Sequence, residues 1–247
     1  MSLNFYNVIV LILVIFIIWG PWLWRYKIKP YLSHRELQKK LKLYPHWKGL
    51  IKTEYFLYDL YKGLNTTGIS KQERKKLGID DDAFTYGEIE FLPFYTILDK
   101  TKPQVGDVFY DLGSGAGKAV FVAASFFKIK KAYGVELLPG LCDLANAQLG
   151  KAKDLARVHS QHIADIEFLQ EDFLHADISN GDIIFINATC LSYHSWEKLL
   201  AKLMLLKKGS RVIVTTKKIQ HASFQVISQT FEVMSWGVNS VNIYQKV

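Results

Sequence analysis

Among its 247 residues the chain has only two cysteines, Cys142 and Cys190. Two thiols cannot build a disulfide framework or a cysteine metal cluster, and both stand in apolar stretches, so they read as reduced core residues. His159 and His162 lie three apart without a carboxylate cluster around them, so a surface helix is expected there and no metal is implied. His194, beside Tyr193, is the one histidine with a candidate site role. The glycine-rich turn at 113–117 lacks the G-x-G-x-x-G spacing of a dinucleotide fold. Charge is missing altogether between Phe5 and Trp24.

That uncharged run has the length of a bilayer-spanning helix at ~1.5 Å per residue. Tyr6, Trp19, Trp22 and Trp24 stand at its ends, where amphipathic rings favour the headgroup level. No basic residue precedes it and Gly20-Pro21-Trp22 is a poor cleavage site, so an uncleaved anchor is expected rather than a signal peptide. Arg25, Lys27, Lys29, Arg35, Lys39, Lys40 and Lys42 follow, with Glu36 the only acid among them. This asymmetry predicts a body on the cytoplasmic side, or the matrix side of an organelle. The cluster explains much of the net charge of +8. Beside a membrane it predicts anionic lipid as partner rather than nucleic acid.

Beyond the basic cluster the pattern alternates. Ser33-His34-Arg35-Glu36 and Ser70-Lys71-Gln72-Glu73 fit capping boxes. His46–Tyr61 is an aromatic-rich helix, and a further helix opens at Phe84 and stops before Pro103. Five strand–helix units follow, with strands near 108–112, 131–136, 166–169, 182–187 and 211–216. Two closing strands are expected over 231–236 and 238–244. Short crossovers make the first five strands parallel, and the whole reads as a seven-stranded α/β sheet.

The stretch Val108 to Lys118 organises the rest. A buried strand breaks into Asp111-Leu112-Gly113-Ser114-Gly115-Ala116-Gly117 and then a helix. An acid two residues before the first glycine would repel a pyrophosphate; it suits a ligand with an ammonium group, such as the methionine part of S-adenosylmethionine. Glu136 ends the second strand, where an acid accepts from ribose hydroxyls. Asp172-Phe173 follows the third strand and suits an adenine amino group and ring. Asn187 ends the fourth. All four polar groups fall at carboxyl ends of strands, the edge where open α/β sheets bind ligands.

Together these motifs resemble a class I S-adenosylmethionine-dependent methyltransferase over Thr85 to the C-terminus. Within that class, Tyr86-Gly87-Glu88, Gly134-Val135-Glu136, Ile184-Phe185-Ile186-Asn187 and Ser235-Trp236-Gly237 resemble the non-SET histone-lysine methyltransferases, the disruptor-of-telomeric-silencing family. The resemblance implies a cofactor clamp from Tyr86 and Glu88 and a lysine channel near Asn187. It extends the cofactor-binding set to Gly113, Ser114, Gly115, Gly117, Lys118 and Leu137, beside Asp111, Glu136, Asp172, Phe173 and Asn187. Asn187 and Glu88 are the candidate catalytic residues. The chain departs from that family in having Ile89 for a threonine, Lys118 for a glutamine, Ala188, Thr189 and Leu191 where a second asparagine and channel aromatics stand, and Ile243 for a channel tyrosine. The anchor together with Gly134-Val135-Glu136-Leu137-Leu138-Pro139 also resembles the small membrane-anchored lysine methyltransferases of the mitochondrial ATP-synthase type.

The expected organisation is therefore a transmembrane anchor (1–24), a basic juxtamembrane and helical extension (25–83) and a Rossmann-like seven-stranded methyltransferase domain (84–247). The expected activity is S-adenosylmethionine-dependent methylation of a protein lysine at or near the membrane. The alternatives are a lipid or small hydrophobic acceptor, or a cofactor-binding scaffold without turnover.

Overall fold

The computed structural model describes Gly20, Arg35, Glu36, Lys39, Leu41, Lys42, Tyr44, residues 46–78, Gly87, 89–234 and 237–247. It divides into two units, one ending at Ile51 and one running from Lys52 to Val247. Helix α1 is Trp47–Tyr61. Its Phe56, Leu57, Leu60 and Tyr61 recur at helical spacing and are buried, while Tyr55 and Tyr58 face outward.

Helix α2 is Thr66–Lys76, and it starts ahead of the expected box at Ser70. Asn65 caps it by accepting the Gly68 N–H at 3.0 Å. Glu73, expected to close the box, is instead buried against a neighbouring helix and accepts from Lys76 at 2.7 Å and from the Gly140 N–H at 3.2 Å. An anion at the start of a neighbouring helix offsets that helix's dipole, which outweighs a local cap. Helix α3 is Phe91–Asp99, shorter than expected because Ile89 and Glu90 are not helical. Phe94 wedges against Phe109 and Phe185, with ring centroids 6.2 and 4.6 Å away, and so fixes α3 on the sheet.

The sheet comprises β1 (Val108–Leu112), β2 (Lys131–Glu136), β3 (Asp165–Gln170), β4 (Ile183–Ile186), β5 (Arg211–Thr215), β6 (Phe224–Met234) and β7 (Gly237–Lys246). Helices α4 (Lys118–Phe126), α5 (Pro139–His159) and α6 (Tyr193–Leu203) make the crossovers. The order is β3-β2-β1-β4-β5-β7-β6. The first five strands are parallel, and β7 enters antiparallel between β5 and β6. β1 and β4 are buried along their whole length, as central strands covered on both faces must be. On one face Tyr110, Leu112, Ile184, Ile186, Val212 and Val214 pack with Trp196, Leu199 and Leu203 of α6.

The seven-stranded α/β sheet is as expected. β6 begins seven residues before the expected 231 and carries a bulge between Val226 and Ser228. It is an edge strand with Gln225, Ser228 and Gln229 among its apolar residues, so strict alternation is lost there. Met234 of β6 pairs with Gly237 of β7.

The fold class needs one correction. Among the described residues no helix is long and apolar enough to cross a membrane. The longest, α5 at 21 residues, carries Asp143, Lys151, Lys153, Asp154 and Arg157. The expected span, Phe5 to Trp24, lies outside the described residues except for Gly20. The described residues thus form the Rossmann-like sheet with helical additions, and no helix among them could cross a membrane.

Candidate functional site

After β1 the chain turns through Gly113, Gly115 and Gly117, with φ of +86°, +55° and +85°. Left-handed backbone costs an L-residue about 1–2 kcal/mol, which explains a glycine at every second position. The turn is strapped to the end of β2. The N–H groups of Gly113 and Ser114 donate to the Val135 carbonyl at 2.8 and 3.0 Å, and that of Gly117 to the Ser114 carbonyl at 2.8 Å. The Gly115 N–H donates to Glu136 Oε2 at 2.7 Å, and the Leu138 N–H to Oε1 at 2.8 Å. A Cβ at Gly113 would meet nothing within 4 Å, so that side of the turn is open to a ligand. A Cβ at Gly117 or Gly134 would strike the Phe168 ring at 2.5 Å, so those glycines serve packing beneath the turn.

Strand register brings the remaining groups into one row. Glu136 pairs with Gln170, Leu112 with Val135 and Ile186, and Ile186 with Val214. One residue further on, Glu136, Gly113, Asn187 and Thr215 therefore stand side by side at the carboxyl edge. The strand order reverses between β1 and β4, the topological switch point where such sheets bind ligands.

Two carboxyls are buried here, Asp111 and Glu136. Desolvation, then the Glu136 charge, holds the Asp111 carboxyl well above the usual carboxylate range. Desolvation also raises Glu136, opposed by the N–H groups of Leu138, Gly115 and Leu137. Among the described residues no cation contributes to either shift. A pair of desolvated acids at an open turn fits a ligand that brings positive charge and hydroxyl donors. The ammonium, sulfonium and ribose of S-adenosylmethionine meet that requirement. The side-chain oxygen of Ser114 is buried without a hydrogen-bond partner among the described residues, so it is the backbone of Ser114 that shapes the turn.

Asp172 and Phe173 follow β3, held near Glu136 because the Glu171 N–H donates to the Glu136 carbonyl at 3.0 Å. Asp172 Oδ1 accepts the Leu174 N–H at 2.8 Å, and Phe173 is partly buried against the core. Leu137 is half-exposed beside Glu136. Lys118 opens α4, and its ammonium lies 5.5 Å from the ring centroids of both Tyr61 and Phe91. Asn187 Oδ1 accepts from the hydroxyls of Thr189 and Thr215, each at 2.8 Å. Tyr86 and Glu88 lie outside the described residues, as do Ser235 and Trp236. Tyr193 and His194 are exposed at the start of α6.

Sequence reasoning missed the roles of four residues. The Tyr61 hydroxyl donates to the Ala116 carbonyl at 2.6 Å, so α1 holds the glycine turn from outside the sheet. Lys202 donates to the Phe173 carbonyl at 2.9 Å and braces the loop after β3. Thr215 and Thr189 anchor Asn187. Tyr61 could be noticed only as one aromatic of many in α1; nothing local marks Lys202. Thr215-Thr216, ending a strand at the same edge as Asn187, was the one legible signal.

A family model described as histone methylation protein DOT1 matches residues 80–244. A Caenorhabditis elegans protein titled histone-lysine N-methyltransferase, H3 lysine-79 specific, is 32% identical over 141 residues, 55% of this chain and 15% of that protein. One of the same title from Gibberella zeae is 26% identical over 211 residues, 81% of this chain and 41% of that protein. The chain therefore spans less than half the length of these curated relatives. Among solved structures, TrmN from Thermus thermophilus aligns with a TM-score of 0.49 at 19% identity, over 67% of this chain and 52% of that one. The membrane assignment is corrected with the fold: the relatives are titled histone-lysine methyltransferases, and no described helix is long and apolar enough to cross a membrane. A single-pass localisation and an anionic-lipid partner are accordingly withdrawn. With the family model covering about two thirds of its length, this chain belongs to the DOT1 histone-methylation family.

Proposed function

We propose that the chain is an S-adenosylmethionine-dependent methyltransferase that modifies a lysine side chain of a protein. The observation that carries this reading is the row at the carboxyl edge: a left-handed glycine turn flanked by Asp111 and Glu136 on one side of the switch point and Asn187 on the other. When bound, the cofactor would supply an electrophilic methyl group on a sulfonium, transferred in line to an amine with the thioether S-adenosylhomocysteine as leaving group. Asp111 would hold the ammonium of the methionine part, Glu136 the ribose hydroxyls, and Asp172 with Phe173 the adenine. These residues contribute chiefly by positioning, which supplies a large part of the rate in such displacements. A lysine amine must be neutral to attack; with an ordinary pKa of about 10.4 it must first give up its proton to water, which desolvation beside the sulfonium charge would favour.

The titles of the relatives make histone H3 the first acceptor to try. Ala188, Leu191 and Ile243, which depart from the resemblance, bear on the acceptor rather than the cofactor. The Ile243 side chain is buried on β7, so it presents nothing to a channel. Titration calorimetry tests the cofactor half: the full chain should bind S-adenosylmethionine and S-adenosylhomocysteine and not NAD. Binding of NAD alone would overturn the reading.

A further inference from the structure

The β4–β5 side of the carboxyl edge holds a chain of hydroxyls around Asn187. Asn187 Oδ1 lies 2.8 Å from Thr189 Oγ1, 2.8 Å from Thr215 Oγ1 and 3.4 Å from the Thr189 backbone N. Thr189 Oγ1 is also 2.8 Å from Thr216 Oγ1. Thr215 is fully buried, and its hydroxyl accepts the Ala188 N–H at 3.0 Å; its own proton goes to Asn187 Oδ1 at 2.8 Å, nearer than Thr189 Oγ1 at 3.3 Å. Thr216 sits at φ +66°, a left-handed backbone that β-branched residues rarely adopt. Its N–H is tied to the Ser240 carbonyl at 2.8 Å, so the sheet end holds this conformation in place.

Donor counting fixes which end of the amide faces the threonines. A backbone N–H can only donate, and the Thr215 hydroxyl, having accepted from Ala188, has a proton to give. A flipped amide would set its NH2 against the Thr189 N–H, donor against donor. The oxygen is therefore the anchored end, and Nδ2 has no partner among the described residues.

We propose that Thr189 and Thr215 are positioning residues: they hold the oxygen of Asn187 against the sheet and turn its NH2 toward the ligand. The proposal rests on the methyltransferase reading and deepens it. An NH2 group donates; facing a lysine amine it would engage the lone pair that must attack the methyl group. It suits instead the carboxylate at the amino-acid end of the cofactor. Asp111 lies on the neighbouring strand β1, two residues before Gly113 and in register with Phe185, with its charge matched to the ammonium of that same end. An acid for the ammonium and an amide donor for the carboxylate, one on each of two adjacent strands, together recognise a zwitterionic amino-acid moiety.

The test compares two probes on the full chain by titration calorimetry: S-adenosylhomocysteine, which carries the amino-acid end, and 5′-deoxy-5′-methylthioadenosine, which does not. Thr189→Val and Thr215→Val should each weaken S-adenosylhomocysteine by about tenfold, the scale of one hydrogen bond, and leave methylthioadenosine within about twofold. Thr189→Ser and Thr215→Ser, which keep the hydroxyl, should bind both probes as the wild type does. Asn187→Asp should lose more affinity for S-adenosylhomocysteine than Asn187→Ala does, because carboxylate would face carboxylate. In an Asn187→Ala background the threonine variants should have no further effect. Equal loss of both probes would mark the threonines as merely structural and overturn the proposal, as would undiminished S-adenosylhomocysteine binding in Asn187→Asp. A wild type that binds neither probe would overturn the cofactor reading itself, a result distinct from unselective loss.

Discussion

Asp111→Asn should move stability and ligand affinity in opposite directions. In the ligand-free protein Asp111 is buried at the end of β1 and sits high of its ordinary range through desolvation and the charge of Glu136. Asparagine has nearly the same shape and no charge. Replacing a buried acid that no cation among the described residues neutralises by an uncharged residue of like shape relieves a desolvation cost, so the change ranges from neutral to stabilising by about 1–2 kcal/mol. The lower end applies, because the amide must still find hydrogen bonds. A gain of about 1 kcal/mol raises the melting temperature of a chain this size by about 2–4 °C. With cofactor the sign reverses. The carboxylate faces an ammonium in a desolvated site, and removing one partner of such a pair costs about 3–5 kcal/mol, a rise in Kd of about 150- to 5,000-fold. Thermal melts without ligand and titration with S-adenosylhomocysteine measure the two effects separately. A variant that melts lower than wild type and binds as well would show Asp111 to be part of the scaffold, and the electrostatic argument would fail.

Glu136→Gln keeps one acceptor oxygen but sets an NH2 against either the Gly115 or the Leu138 N–H; calorimetry should show cofactor affinity reduced by about 10- to 150-fold, the scale for a hydrogen bond to a charged group. Gly134→Ala places a methyl 2.5 Å from the Phe168 ring and 2.7 Å from Ser114 Oγ, so the melting curve should report a loss of about 1–3 kcal/mol from overpacking. Because the Asp111 pKa is raised on folding, the native state holds more protons than the unfolded chain between the ordinary carboxylate value and the raised one. Stability without ligand should therefore fall as pH rises through that window, and Asp111→Asn should flatten the fall in pH-dependent melts. Cofactor affinity should rise over the same window, with proton release on binding visible as a buffer-dependent enthalpy; an affinity independent of pH there would count against Asp111 as the ammonium's partner.

The central strands were legible because they are buried on both faces: unbroken apolar runs such as Ile183–Ile186 admit little else, and the β2 bounds agree with the expected residues. The glycine turn was legible for the same kind of reason, since alternate left-handed positions demand glycine. What failed to show were features set by distant partners. Ser70 and Glu73 spell a capping box, but Glu73 has a better use at the N-terminus of α5. β6 hid its first half because an exposed edge strand need not alternate. The hydroxyl of Tyr61 and the ammonium of Lys202 reach the site across 55 and 29 residues of sequence, and no local pattern announces such contacts. The hydropathy of Phe5–Trp24 suggested a membrane span, a property that no described helix shares.

The most direct test of the account is methyl transfer itself. Full-length protein, methyl-labelled S-adenosylmethionine and histone H3, free and in nucleosomes, should be incubated beside a total protein extract, and the modified residue mapped by mass spectrometry. Label is expected on a lysine side chain of a protein, and is expected to fall in Asn187→Ala and, more steeply, in Asp111→Asn when the cofactor is below saturation. Label confined to lipid or nucleic acid, or no label in any protein from a chain shown to bind the cofactor, would contradict it.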